Sequence, residues 1–192
     1  MVKTPKPVAA IFGGSFDPPH IGHQQIVRAA AKLPGVDRVL IVPAYLNPFK
    51  TSSLADAGQR LQWCHSLFDG IPKVSVESYE VDQGRSVTTW ETVKHFKTNY
   101  DVRYLIIGSD NLSTLEKWHQ FDALNREITW IIATREGYDL KTDMLRSWQI
   151  LEVNVPASST EIRTSGDISH VDNKIKQDVN RTLQLNTKDN PS

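Results

Sequence analysis

Apolar positions in this chain fall into short blocks separated by amphipathic stretches. Val8-Ala9-Ala10-Ile11-Phe12 is an unbroken apolar run ending at Gly13-Gly14, the pattern of a strand buried on both faces and entering a tight turn. Arg38-Val39-Leu40-Ile41-Val42-Pro43, Tyr104-Leu105-Ile106-Ile107-Gly108 and Ile128-Thr129-Trp130-Ile131-Ile132-Ala133 repeat it, and Val74-Ser75-Val76 and Ile150-Leu151-Glu152-Val153 are shorter candidates. Helical spacing fills the gaps. Ile26, Ala30 and Leu33 share a face over residues 21–33, with Pro34-Gly35 as a stop; Leu61, Cys64 and Phe68 do so over 55–68. Residues 90–96, a short segment ending over 124–126, and about 171–183 complete the set.

Alternating elements of this kind predict an α/β fold: a doubly wound, Rossmann-like parallel sheet with right-handed crossovers. One domain is expected over 1–192, with its core at 8–163, a small C-terminal helical part at 171–183 and a polar, disordered tail at 186–192. In such sheets ligands bind beyond the carboxyl ends of the strands, near the point where strand order reverses. Unusual residues do follow the strands: Gly13-Gly14, then Pro43 to Lys50, then Gly108-Ser109-Asp110.

Composition narrows the function classes. Lys plus Arg equals Asp plus Glu, 22 against 22, so net charge gives no sign of a nucleic-acid or membrane partner. A single cysteine, Cys64, rules out an intrachain disulfide and a cysteine-based zinc site, and suits a reducing cytoplasm. The basic N-terminus is too broken by proline for a signal peptide, and no apolar run approaches a membrane span.

The densest chemistry lies in Gly13-Gly14-Ser15-Phe16-Asp17-Pro18-Pro19-His20-Ile21-Gly22-His23. Two glycines let a phosphate or base approach the backbone. His20 and His23, three apart at a helix start, share a face beside free N–H groups and the positive dipole end. Two such imidazoles can donate to phosphate oxygens and stabilise developing charge. Taken alone, such a pair is more often structural or on the surface than catalytic, and a metal-binding pair has no cysteine or clustered carboxylate to support it, but the whole string meets each requirement of a phosphate loop. Ser158-Ser159-Thr160-Glu161-Ile162-Arg163 reads either as a capped helix start or as a second anion cradle built from hydroxyls, N–H groups and Arg163.

The first string resembles the signature of the HxGH nucleotidyltransferases, and its Gly-Gly-Ser-Phe-Asp-Pro form resembles bacterial nicotinate-mononucleotide adenylyltransferases. The resemblance spans roughly residues 8–163. It implies that Gly13, Gly14, Ser15, Phe16, His20 and His23 meet ATP, and that Ser158, Ser159, Thr160, Ile162 and Arg163 match the family's triphosphate motif, with Arg163 clamping the β and γ phosphates. Gly108 and Asp110 match a Gly-Ala-Asp-Ser-Leu stretch whose carboxylate holds ribose hydroxyls; capping a helix is the plain alternative. For the mononucleotide it implies Ser15, with Asn47 and Lys50 from a Pro-x-x-x-Asn-Pro-x-Lys loop. It adds Thr89 toward the pyridine carboxylate (a helix cap otherwise), Trp118 stacked on the pyridine ring, and Arg135. Phe49 replaces the usual histidine, a form similar to the epsilonproteobacterial enzymes. The other tryptophans, Trp63, Trp90, Trp130 and Trp148, read as packing residues.

The activity implied is transfer of AMP from ATP to nicotinate mononucleotide, giving deamido-NAD and pyrophosphate. His20, His23 and Arg163 would be catalytic, and Mg²⁺ would be carried by the ATP phosphates with no dedicated protein metal site. A homo-oligomer is left open. Sister enzymes acting on nicotinamide mononucleotide or phosphopantetheine share the loop. A cytidylyltransferase would be expected to carry an Arg-Thr-x-Gly-x-Ser-Thr string, which is absent. A nucleotide-binding regulator without catalysis is the remaining alternative, against which both histidines and Arg163 are retained.

Overall fold

The computed structural model describes residues 4–47, 52–134, 140–153 and 157–189. Strands β1 (Val8–Gly14), β2 (Arg38–Pro43), β3 (Val74–Val76), β4 (Asp101–Gly108), β5 (Thr129–Ala133) and β6 (Trp148–Leu151) form one parallel sheet in the order β3-β2-β1-β4-β5-β6. The helices are α1 (Ile21–Ala30), α2 (Ala57–Phe68), α3 (Tyr79–Asp82), α4 (Thr89–Phe96), α5 (Phe121–Glu127), α6 (Ser159–Ser165) and α7 (Asn173–Asp189), with a 3-10 segment at Ser109–Lys117.

The strands read as continuous apolar runs because both faces of the sheet are covered. Ala10, Phe12, Ile41, Ile106 and Ile131 point into one core with Val27 of α1, Phe68 of α2 and Val179 of α7. Their chain neighbours Ala9, Ile11, Leu40, Leu105 and Ile132 point into the other, against Val93 of α4, Leu115 and Leu124. The alternation of period two is present, yet it is hidden when both destinations are apolar.

Several boundaries differ from those the pattern predicts. Helix α1 ends at Ala30, leaving Leu33 in the following turns, and β6 starts two residues earlier than expected. The buried stripe of α2 is Ala57, Arg60, Trp63, Cys64, Leu67 and Phe68; Leu61 is only half-buried. The last helix does not stop at Leu183, nor does a tail begin at Asn186, since α7 continues to Asp189. Contacts with the body hold it: Asp178 accepts from Trp63 Nε1 at 2.7 Å, and Asn186 Nδ2 donates to the Leu54 carbonyl at 3.2 Å. Among the described residues no helix is long and apolar enough to cross a membrane.

The sheet order fixes the crevice. The chain runs from β1 outward to β2 and β3, then returns to place β4 on the other side of β1, so strand order reverses between β1 and β4. Phe12 pairs with Ile106, and two residues on along each strand stand Gly14 and Gly108.

Candidate functional site

The loop leaving β1 is held by its own side chains. A Cβ on Gly14 would come 3.3 Å from the Phe16 ring. Phe16 itself turns through the left-handed region at φ 47°, which places its ring edge-on to Phe12 at 5.5 Å and near His23 at 5.0 Å between centroids. The Asp17 carboxylate accepts from the backbone N–H groups of Leu54 and Ala55 at 2.8 and 3.1 Å. The loop therefore enters α1 in a fixed shape.

His20 is the N-cap of α1 and is 4% exposed. Its backbone N–H donates to His23 Nδ1 at 3.1 Å, and the two rings lie 3.8 Å apart between centroids. An Nδ1 that accepts leaves the proton of a neutral imidazole on Nε2. His23 thus carries a donor on the ring edge opposite its anchored nitrogen. A hydrogen bond formed within the motif fixes the tautomer needed to meet an anionic oxygen.

The second motif joins this loop directly. Ser158 and Glu161 form a reciprocal cap on α6: the Ser158 N–H donates to Glu161 Oε2 at 3.0 Å, and the Glu161 N–H to Ser158 Oγ at 3.0 Å. The hydroxyl of Ser158 therefore serves the helix start. Ile162 is buried in the core, so its side chain seats α6 and its backbone alone can face a ligand. Ser159 Oγ donates to the Pro18 carbonyl at 2.9 Å, and Arg163 Nη1 donates to the Asp17 carbonyl at 2.5 Å across 146 positions of sequence. Arg163 Nη2 donates to Thr160 Oγ1 at 3.2 Å.

On the other side, the Ala44 N–H donates to the Gly14 carbonyl at 2.9 Å, setting the loop after β2, with half-buried Asn47, beside the loop after β1. Ser86 Oγ donates to the Leu46 carbonyl at 3.0 Å, which draws the segment leading into α4 to the same place. The α4 cap is Thr88, paired with Glu91, so the capping role considered for Thr89 falls to its neighbour. Arg85 Nη2 donates to Glu91 at 2.8 Å; that bond, followed by the Thr88 N–H, holds the Glu91 carboxyl down at about 2. At the end of β4, a Cβ on Gly108 would lie 2.3 Å from Asp110 Oδ1, so glycine there lets the carboxylate fold back over the strand end. Trp118 is half-buried, edge-on to the buried Trp130 at 6.2 Å. Lys50 and Arg135 lie outside the described residues.

Beneath α4, Glu80 accepts from Thr92 Oγ1 at 2.5 Å. Burial, opposed by that hydrogen bond, raises its carboxyl from 4.5 to about 7. The folded chain therefore retains a proton there that the unfolded chain releases above its lower pKa. Stability falls as pH rises between those two values, by about 3 kcal/mol from this group. Glu80→Gln, neutral throughout, is expected to flatten the dependence of Tm on pH between 5 and 8 and to raise Tm at pH 8. An unaltered slope in thermal melts would contradict this origin.

The cytidylyltransferase-like family model matches residues 11–165. The chain belongs to that family. It is 58% identical over 184 residues to a protein named probable nicotinate-nucleotide adenylyltransferase from Sulfurovum sp. (strain NBC37-1), covering 96% of this chain and 98% of that one. A protein of the same name from Campylobacter fetus is 42% identical over 172 residues, covering 88% and 93%. Among solved structures, Plasmodium falciparum nicotinic acid mononucleotide adenylyltransferase complexed with NaAD superposes with a TM-score of 0.71 at 19% identity, covering 94% of this chain and 96% of that one. This last likeness shows the shared fold. The family and its epsilonproteobacterial form are those the first loop resembles.

Three residues of the site lay outside the sequence reading of function. Asp17 stood inside the loop without a role, and Ser86 carried no pattern. Arg60 had a usable signal: it sits on the buried stripe of α2 at the spacing of Ala57, Cys64 and Leu67, where a charged residue is rare unless its donors are engaged.

Proposed function

We infer that this chain is a nicotinate-nucleotide adenylyltransferase, moving AMP from ATP to nicotinate mononucleotide and releasing pyrophosphate. The observation that carries the reading is the hydrogen bond from Arg163 into the loop bearing His20 and His23, which unites two phosphate-type motifs at the strand-order reversal. The relatives' names supply the acceptor.

In the reaction, a 5′-phosphate oxygen of the mononucleotide attacks the α-phosphorus of ATP in line. A new P–O–P bond forms as the bond to the bridging oxygen breaks and pyrophosphate leaves. Such a transfer depends on positioning and neutralised charge rather than a covalent nucleophile. His23 offers its Nε2 proton to the α-phosphoryl oxygens, His20 lies against it, and Arg163 with Ser159 and Thr160 receives the departing pyrophosphate. Gly13 to Phe16 admit the ATP phosphates to the backbone, Gly108 and Asp110 the ribose. Ser15, Asn47, Thr89 and Trp118 take the mononucleotide, together with Lys50 and Arg135 by their match to the family motifs.

Among the described residues, no three His, Cys, Asp or Glu side chains group as a metal cage, and the loop's own carboxylate, Asp17, is engaged by two N–H groups. Mg²⁺ would arrive on the ATP triphosphate and would neutralise its charge there.

Pyrophosphate release is measured with ATP and, in parallel, nicotinate mononucleotide, nicotinamide mononucleotide and phosphopantetheine. The expected result is the highest kcat/KM with the nicotinate form. Preference for either other acceptor would reassign the substrate, and no release with any would leave a nucleotide-binding regulator.

A further inference from the structure

Arg60 is 1% exposed, and each of its three guanidinium nitrogens donates to a backbone carbonyl. Nη1 reaches Ser15 and Ala44, both at 2.7 Å. Nη2 reaches Tyr45 at 2.7 Å, and Nε reaches Ala55 at 3.1 Å. Among the described residues it makes no ion pair within 4.0 Å. Burial lowers its pKa, and the charge of Asp17 opposes this.

The acceptors belong to two connections. Ser15 lies in the loop after β1; Ala44, Tyr45 and Ala55 lie in the loop between β2 and α2, whose far end also holds the Asp17 carboxylate through the N–H groups of Leu54 and Ala55. A planar fork with five N–H donors in fixed directions can hold several carbonyls at set separations, which a lysine cannot do. An apolar side chain would be easier to bury at this point of the α2 stripe.

We propose that Arg60 is a positioning residue that locks the loop after β1 and the loop after β2 into one register, so that the two substrates meet in line. The proposal rests on the reading of these loops as the ATP and mononucleotide sides of the site. Arg60 touches neither substrate and acts only through the four carbonyls. A small shift of either loop moves the attacking oxygen off the line of the leaving group, and misplacement of about 1 Å can cost a factor of about 100 in rate.

The test is Arg60→Lys in the full chain, with kinetics and amide hydrogen exchange measured well below its melting temperature. The expected result is a fall of about 100-fold in kcat/KM, carried by kcat, with a smaller rise in KM for both substrates. The N–H groups of Ala44 and Ala55 should exchange faster together. Trp63→Phe, on the same helix as Arg60, removes the bond to Asp178 of α7; it is the control for simple destabilisation and should leave kcat and both KM values within twofold. The proposal is overturned if Arg60→Lys keeps its kinetic constants within twofold, if only one of these two N–H groups exchanges faster, or if Trp63→Phe reproduces the kinetic loss. Should the parent chain prove inactive with nicotinate mononucleotide while both N–H groups exchange faster together in Arg60→Lys, the substrate reading fails and the role of Arg60 stands. Should Arg60→Lys fail to fold, nitrogen-detected NMR of the parent decides: the Arg60 Nη protons are expected to be resolved and protected from exchange, and rapid rotation and exchange would overturn the proposal.

Discussion

Replacing His23 with alanine is expected to lower kcat by about 10²–10³-fold, the loss seen when one preorganised donor to a developing oxyanion is removed. The His23 ring is anchored: its Nδ1 accepts from the His20 backbone, so Nε2 is the donor. Because that donor acts most strongly as charge develops, KM should change little while kcat and kcat/KM fall together. His23→Gln separates chemistry from folding, since glutamine three residues after an N-cap can also accept the cap N–H. It should retain the parent Tm within a few degrees yet remain impaired. His20→Asn, which keeps a good capping side chain, should be comparably slow. Turnover within about fivefold of the parent in His23→Ala would remove this residue from the chemistry.

Arg163→Ala is expected to reduce kcat/KM for ATP by about 100-fold, equivalent to roughly 2.7 kcal/mol. The guanidinium bonds Asp17 and Thr160, two contacts that hold it at the mouth of the histidine loop. A planar fork matches phosphate oxygens in pairs. Arg163→Lys should therefore recover charge but only part of the rate, because a lysine binds as a point charge. Loss of the Asp17 contact should cost about 2 kcal/mol of stability, so the variant remains folded at assay temperature. A large fall in Tm with kcat/KM unchanged would make Arg163 a strut between α6 and the loop.

The fold was legible in the sequence because it is written in local signals. Apolar runs ending in glycine marked β1 and β4, and Pro34-Gly35 marked the approach to β2. What escaped was set by three-dimensional context. The stripe of α2 is rotated from the Leu61 line because Arg60 turns inward to carbonyls that lie 5 to 45 positions away. The four-residue α3 is too short to show a period. Helix α7 extends past Leu183 because Asn186 finds the Leu54 carbonyl 132 positions earlier, a contact no window of sequence displays.

The site divides in the same way. His20, His23 and Arg163 were visible as residue types in recognisable strings, and the structure brings their segments together. Ser158 was ambiguous because one serine at a helix start suits a cap and an anion cradle equally well; the reciprocal bonds with Glu161 settle its hydroxyl on the cap. Arg60 was invisible as a functional residue because its partners are backbone carbonyls, which have no signature of their own.

The reaction moves the adenylyl group of ATP onto nicotinate mononucleotide. Its most direct test is a transfer experiment with ATP labelled at the α-phosphorus or at the γ-phosphorus. The α label should appear in deamido-NAD in a 1:1 ratio to pyrophosphate, and the γ label only in pyrophosphate. An α label that stays in AMP or ADP, with no dinucleotide formed, would contradict the account.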